Sequence, residues 1–139
     1  MSLIAVAHAL PGTLRQDIEI DGLHHVTTDE PERVGGDGSA PSPHELLPAA
    51  LAGCVSTHLV MYARTKGWDL GGVSVAVDYD HRATPRLFHV DIRLGATLTA
   101  DQLQRLHAVA VACPVRKALT GGATFDERIH AGAHSERAA

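Results

Sequence analysis

Two cysteines and one histidine carry most of the reactive chemistry in this sequence. Cys54 and Cys113 are the only cysteines among 139 residues, and His58 follows Cys54 by four positions. On a helix this spacing places two side chains one turn apart on the same face, so the imidazole can hydrogen-bond to the sulfur. Pro114, directly after Cys113, predicts that Cys113 caps a new helix whose free N–H groups favour a thiolate. The pattern is compatible with reactive thiols at both positions.

Two other interpretations of the same residues stay open. In the first, both cysteines are small buried hydrophobes and His58 is a core histidine with satisfied hydrogen bonds. In the second, Cys54 and His58 form a nucleophile of hydrolase type. The sequence offers no third group to orient the imidazole and no loop that resembles an oxyanion hole, so this second interpretation has less support.

A single long helix over residues 42–67 must position Cys54. Ser42 is a good N-cap, Pro43 suits the first helical position, and Glu45 completes a capping-box pattern. Gly67 ends the run. These local signals predict both ends of the helix.

One apolar face of this helix is predicted to include Cys54. The residues that recur there at three- and four-residue spacing are Leu47, Ala50, Leu51, Cys54, His58, Met61 and Tyr62. Pro48 lies in the first turns, so we expect a slight kink or a 3₁₀ start. Cys54 should therefore point towards the apolar side.

Three strands precede the helix in the predicted order. They cover residues 3–10, 14–20 and 23–28, and Asp21-Gly22 is a strong hairpin signal between the second and third. Residues 29–41 are rich in charge, glycine and proline, which predicts a surface loop leading into the helix. The first part of the chain is expected to be an antiparallel meander.

A second hairpin follows the helix. Residues 73–82 and 86–94 alternate with period two, and a short turn through Pro85 joins them. The predicted inward residues are Val73, Val75, Val77 and Tyr79 on the first strand, and Leu87 or Phe88, Val90, Ile92 and Leu94 on the second.

Two shorter helices and a closing strand are predicted in the last third. Thr99 caps the first of these helices with Gln102 as its partner, and the expected buried stripe is Leu103, Leu106, Ala110 and Cys113. The next helix begins at Pro114 and stops at Gly121-Gly122. Residues 124–130 read as a strand, and residues 131–139 as a frayed tail.

The predicted order is β-β-β-α-β-β-α-α-β, an α+β fold in one domain over residues 1–139. A composition of 45% hydrophobic and 20% charged residues supports a domain with a real core.

The net charge of -4, with scattered Lys and Arg, predicts no nucleic-acid partner. We expect no membrane-spanning run of about 18 apolar residues and no signal-like segment. This expectation favours a cytoplasmic protein without a membrane partner. The cysteines and histidines lack CxxC and HExxH spacing, so no metal is predicted.

Several short motifs form a longer pattern around both cysteines. They are Pro43-His44-Glu45-Leu46-Leu47, residues 49–54, Tyr62-Ala63-Arg64, Lys66-Gly67 and Cys113-Pro114-Val115. Together they resemble the OsmC-like family, which includes the organic hydroperoxide resistance proteins. Asp29-Glu30-Pro31 with Gly35-Gly36 resembles the loop of its YhfA-like branch. The resemblance covers residues 14–129.

This resemblance implies an OsmC-like fold in which two chains interlock as a homodimer around their long helices. It also implies a thiol-dependent peroxidase that acts on organic hydroperoxides. By this analogy Cys54 attacks the peroxide, Cys113 resolves the product as a disulfide, and an external thiol reduces that disulfide. No metal or organic cofactor is implied.

The chain departs from the peroxidase members of the family at one position. Those proteins carry an acidic residue ten positions before the first cysteine, where it holds an arginine against the thiolate; here that position is His44. Glu45 is the neighbouring candidate, although a regular helix places it opposite Cys54. Arg15 is the candidate arginine, with Arg33 as second choice. The departure leaves a non-enzymatic redox sensor or a small apolar-ligand-binding protein as the alternative.

Overall fold

The computed structural model describes residues 2–132 of the chain. Its elements are β1 (Ala5–Ala9), β2 (Gln16–Ile20), β3 (His24–Thr28), α1 (Leu46–Lys66), β4 (Val73–Asp80), β5 (Leu87–Leu94), α2 (Ala100–Val111) and α3 (Pro114–Gly121). Strands β1, β2 and β3 form one antiparallel sheet in sequence order, and β4 pairs with β5 in a second. Helix α1 packs on β4, α2 and α3. The α+β class predicted from the sequence is confirmed.

The predicted signals at both ends of α1 are confirmed. The backbone N–H and the hydroxyl of Ser42 both donate to the Glu45 carboxylate, over 2.9 and 3.0 Å. A 3₁₀ turn over Pro43–Glu45 then leads into the regular helix. At the other end, Gly67 takes a left-handed conformation with φ 70° and closes the last turn.

The buried stripe of α1 differs from the predicted face. It consists of Leu51, Val55, Leu59 and Ala63, which recur every four residues. Met61 is 55% exposed and Leu47 39% exposed, although both were predicted to be inside. Helix α1 is apolar on several sides, so its spacing did not determine which side the β4–β5 sheet would cover. Cys54 is half-buried at the edge of the stripe and packs against the core.

The first sheet is the predicted meander. Asp21 and Gly22 both have positive φ, 52° and 70°, as the tight turn between β2 and β3 requires. No residue of β1 or β2 is buried, and in β3 only Thr28 is. This sheet therefore contributes little to the core of the described chain.

The second sheet covers α1 with one face of each strand. Val73, Val75 and Val77 are half-buried against the core, as predicted. The rings of Tyr79 and Phe88 are stacked, with centroids 4.2 Å apart. This contact decides between the two alternatives for β5 in favour of Phe88, since Leu87 is exposed.

Helix α2 has the predicted cap but a narrower buried stripe. The N–H of Gln102 donates to the Thr99 hydroxyl, and the Gln102 side chain accepts from the Thr99 N–H. Leu106 and Ala110 are buried, whereas Leu103 is 49% exposed. The prediction that Leu103 is a core residue is wrong, because no described element covers that side of α2.

Asp29 organises the loop that enters α1. Its side chain is 1% exposed, and its carboxylate accepts the N–H groups of Glu30, Asp37 and Ser39 together with the Ser39 hydroxyl. The Ser39 N–H and hydroxyl are the largest causes that lower the pKa of Asp29 to about 2. One ionised carboxylate thus holds the predicted surface loop in a fixed shape.

Two glycines meet where the chain enters β4 and leaves β5. A methyl group on Gly95 would lie 2.0 Å from the Gly71 carbonyl oxygen, and one on Gly71 would lie 2.5 Å from the Ala96 nitrogen. Both contacts are with backbone atoms, which cannot swing aside as a side chain would. Only glycine fits at either position in this packing.

The predicted strand over residues 124–130 is not present. This segment has no regular structure, and Phe125 and Ile129 are 81% and 96% exposed. A strand needs an edge to pair with, and in the described chain none lies beside these residues. Of the predicted frayed tail, residues 133–139 lie outside the described residues.

Among the described residues, one helix is long and apolar enough to cross a membrane, contrary to the expectation that no such run exists. It spans Pro43–Lys66, and 22% of its most apolar window is buried. The central helix of a water-soluble protein meets the same criterion, so a single helix of this kind is weak evidence.

Candidate functional site

The two cysteines lie on different elements that meet in the core. Cys54 lies near the middle of α1, and Cys113 is the N-cap of α3, directly after α2. Cys113 is fully buried, whereas Cys54 keeps part of its surface exposed. The packing of α1 against α2 and α3 brings together two thiols that are 59 positions apart in sequence.

The surroundings of Cys54 oppose its ionisation. Burial raises the pKa of the Cys54 thiol, and the neighbouring Cys113 thiol raises it further. The backbone N–H of Val115, in the first turn of α3, acts in the opposite direction. The sequence predicts that the free N–H groups of α3 favour a thiolate at Cys113, whereas in the structure the Val115 N–H favours the thiolate of Cys54.

His58 contacts both the backbone and the sulfur of Cys54. Its Nδ1 lies 2.9 Å from the Cys54 carbonyl oxygen and 3.6 Å from the Cys54 Sγ. A carbonyl oxygen can only accept, so Nδ1 must carry the hydrogen. The same N–H is therefore available to the sulfur as a second, longer acceptor.

Arg15 is half-buried just before β2. Its Nε atom has no hydrogen-bond partner in the described part of the chain, and the same is true of the Thr28 hydroxyl and of Glu30 Oε2. Gln16 pairs with Thr28 across the sheet, so the three atoms come from the same end of it. No described contact joins Arg15 to Cys54.

Arg33 and Glu45 line a cavity of about 620 Å³ in front of the first turn of α1, and Cys54 is not among the lining residues. Glu45 is held there by Ser42, whose N–H and hydroxyl lower the pKa of the Glu45 carboxyl. His44, ten positions before Cys54, packs edge-on against Tyr79 with ring centroids 5.3 Å apart. This position therefore contributes to an aromatic cluster rather than to an ion pair.

The described residues include no group of three or more His, Cys, Asp and Glu side chains that could hold a metal ion. Among the described residues, the groups that contact Cys54 or shift its pKa include the side chains of Cys113 and His58 and the backbone N–H of Val115. Such a set can bind and polarise a thiolate.

Residues 36–128 of the chain match the model of the family described as OsmC-like protein. No curated protein sequence matches the chain.

Solved structures with the same fold include three informative ones. A protein of Psychrobacter arcticus 273-4, described as an osmotic stress induced and detoxification response protein, is 28% identical with a TM-score of 0.69, over 81% of this chain and 85% of its own. The organic hydroperoxide resistance protein OsmC of Legionella pneumophila is 26% identical with a TM-score of 0.60, over 87% and 90%. An organic hydroperoxide resistance protein of Elizabethkingia anophelis, 20% identical with a TM-score of 0.60 over 87% and 89%, shows likeness of fold alone.

Proposed function

Because this chain belongs to the OsmC-like family, we propose that it is a thiol-dependent peroxidase that reduces organic hydroperoxides in oxidative-stress defence. Membership of this family suggests a role in defence against peroxide stress, and one of the more similar structures is an organic hydroperoxide resistance protein. The observation that carries the proposal is the meeting of the Cys54 and Cys113 thiols in a largely apolar interior.

Cys54 is the thiol that we assign to the first step, because it is the one that keeps an exposed surface. Its thiolate attacks the terminal oxygen of the hydroperoxide, the O–O bond breaks, and the departing alkoxide takes one proton and leaves as an alcohol. Cys54 is thereby oxidised to a sulfenic acid. Cys113 then attacks this sulfur, a disulfide forms, and water leaves. Two electrons from an external thiol reductant restore both thiols.

The thiolate needs a donor or a cation beside it, since burial raises the pKa of Cys54. His58 and the Val115 N–H are the groups in place. Arg15 is the cation that we propose for the assembled protein, and Arg33 is the second choice. The Nε of Arg15 is buried and has no hydrogen-bond partner among the described residues, so a further group beside it would satisfy this donor. Glu45 would have to exchange its contacts with Ser42 to hold that arginine.

A homodimer is part of the proposal. In the β1–β3 sheet only Thr28 is fully buried, α1 leaves Met61 exposed, and the segment after α3 exposes Phe125 and Ile129. A second copy would cover these surfaces, and it would offer an edge to residues 124–130. Light scattering should give twice 14.7 kDa. A monomer at micromolar concentration would refute the dimer.

A reducing cytoplasm is the compartment that we propose, because both cysteines are free thiols and the cycle consumes an external thiol. Secretion of the protein with a stable Cys54–Cys113 disulfide would contradict this location.

Stopped-flow oxidation with cumene hydroperoxide tests the function. The wild-type protein should lose two thiols per hydroperoxide, faster than free cysteine does. Cys54→Ser should abolish the fast phase. Cys113→Ser should keep one fast turnover and leave a sulfenic acid at Cys54, seen by mass spectrometry after dimedone trapping. Wild-type oxidation no faster than that of free cysteine would overturn the proposal.

A non-enzymatic OsmC-like protein is the second candidate, either a redox sensor or a binding protein for a small apolar ligand. It is favoured by the raised pKa of Cys54 and by His44 at the acidic position. A dimeric wild-type protein without peroxidase activity, but with reversible formation of the Cys54–Cys113 disulfide, would select the sensor.

A further inference from the structure

A second cavity, of about 530 Å³, lies between the start of α1, the β4–β5 hairpin and α3. Its floor is Leu51, which is 1% exposed, and the stacked rings of Tyr79 and Phe88 form one wall. Leu47 and Leu119 contribute the facing apolar surface. Cavities of this size and character commonly hold small organic molecules.

Two arginines, Arg86 and Arg116, are the charged residues of the lining, which contains no carboxylate. Arg86 donates one N–H of its guanidinium to the Ala83 carbonyl over 3.1 Å, and Arg116 donates one to the Val111 carbonyl over 3.3 Å. Each guanidinium has five N–H groups, so most of them stay available.

Neither arginine belongs to an ion pair in the described part of the chain. The arginines that do, Arg93, Arg105 and Arg128, each contact an aspartate elsewhere on the surface. The whole chain has a net charge of -4. Both arginines are exposed to solvent, and a ligand with a negative charge at this apolar cavity would pair with their guanidinium groups.

We propose that this cavity binds a small apolar molecule that carries one carboxylate. The apolar body would lie against Leu47, Phe88 and Leu119, and the carboxylate would pair with Arg86 and Arg116. Arginine presents parallel N–H groups that match the two oxygens of a carboxylate, which makes this pairing specific. The inference does not depend on the peroxidase proposal, because the ligand needs no peroxide group.

Calorimetric titration of the whole protein with octanoate tests this assignment, with 1-octanol as the neutral probe of equal chain length and inorganic phosphate as the headgroup probe. We expect octanoate to bind, and to bind more tightly than either control. Raising the salt concentration should weaken octanoate and leave 1-octanol nearly unchanged.

Arg86→Gln and Arg116→Gln should each weaken octanoate about fivefold, in keeping with partly exposed ion pairs. Neither should change 1-octanol binding. Arg105→Gln is the matched control, since Arg105 pairs with Asp101 on an outer turn of α2. Leu119→Ser, at a residue that is already 37% exposed, should weaken both octanoate and 1-octanol without unfolding the protein.

Three results would overturn the inference. The first is no octanoate binding by the wild-type protein at millimolar concentration, as expected if a second copy of the chain fills the cavity. The second is unchanged octanoate affinity in the Arg86→Gln/Arg116→Gln double variant. The third is equal affinity for phosphate and octanoate, which would leave the apolar walls without a role. Hydroperoxide turnover is measured in a separate assay. A protein without peroxidase activity would therefore still support or overturn the binding of a carboxylate in this cavity.

Discussion

The contact between His58 and Cys54 yields a quantitative prediction. His58→Leu removes the N–H that reaches the Cys54 sulfur over 3.6 Å and keeps an apolar side chain of similar size. A hydrogen bond to a charged acceptor contributes about 1.5 to 3 kcal/mol. Because the nearer Cys54 carbonyl, at 2.9 Å, shares this N–H, we take a value just below that range.

A loss of about 1.4 kcal/mol of thiolate stabilisation corresponds to one pKa unit. The pKa of Cys54 should therefore rise by about one unit in His58→Leu, and the thiolate fraction at neutral pH should fall about tenfold. The rate of alkylation by iodoacetamide should fall by a similar factor, since the thiolate is the nucleophile.

The assay is an ultraviolet titration of the thiolate in a Cys113→Ser background, where a single cysteine titrates. His107→Leu is the matched control, because His107 is an exposed histidine on α2. The same titration midpoint in His58→Leu and its parent would refute the reasoning. A lower midpoint would show that the imidazole opposes the thiolate.

Three further predictions concern the thiol pair, the entry loop and α2. In Cys113→Ser the pKa of Cys54 should fall, because the Cys113 thiol raises it in the wild type; a higher titration midpoint would contradict this. The folded pKa of Asp29, about 2, lies below the usual 3.8, so its contribution to stability is present above pH 3.8 and is lost as the pH falls towards 2. Asp29→Asn should remove that part of the pH dependence of the urea midpoint, and an unchanged acid profile would disprove the role of the carboxylate. Leu106→Ala should destabilise the fold by about 2 to 5 kcal/mol, and Leu103→Ala, a matched change on the same helix, by no more than about 0.5 kcal/mol. Equal urea midpoints for the two variants would mean that the buried side of α2 is misassigned.

Local signals in the sequence predicted local structure well. The two capping boxes, Ser42 with Glu45 and Thr99 with Gln102, each involve residues three positions apart, so the sequence contains both partners. The turn at Asp21 depends in the same way on adjacent residues. Such features form with little help from the rest of the fold.

Features that depend on distant partners were harder to predict. The buried stripe of α1 is set by the sheet that covers it, and an apolar helix offers several equivalent sides, so Met61 was placed inside. The segment over residues 124–130 has the composition of a strand but no edge beside it in the described chain. Periodicity did not indicate that Cys54 and Cys113 would meet, and only the resemblance to a family suggested this. Arg86 and Arg116 gave no sequence signal, since neither belongs to a recognisable motif.

The crossing of Gly71 and Gly95 limits how the sequence of this protein can drift. A single base change to alanine at either position inserts a methyl group within 2.5 Å of backbone atoms of the other segment. Either change would strain the start of β4 or the end of β5. It would therefore destabilise the sheet that covers the middle of α1. Neutral variation should therefore accumulate in the β4–β5 turn and on the outer face of the hairpin, while these two sites stay fixed through descent.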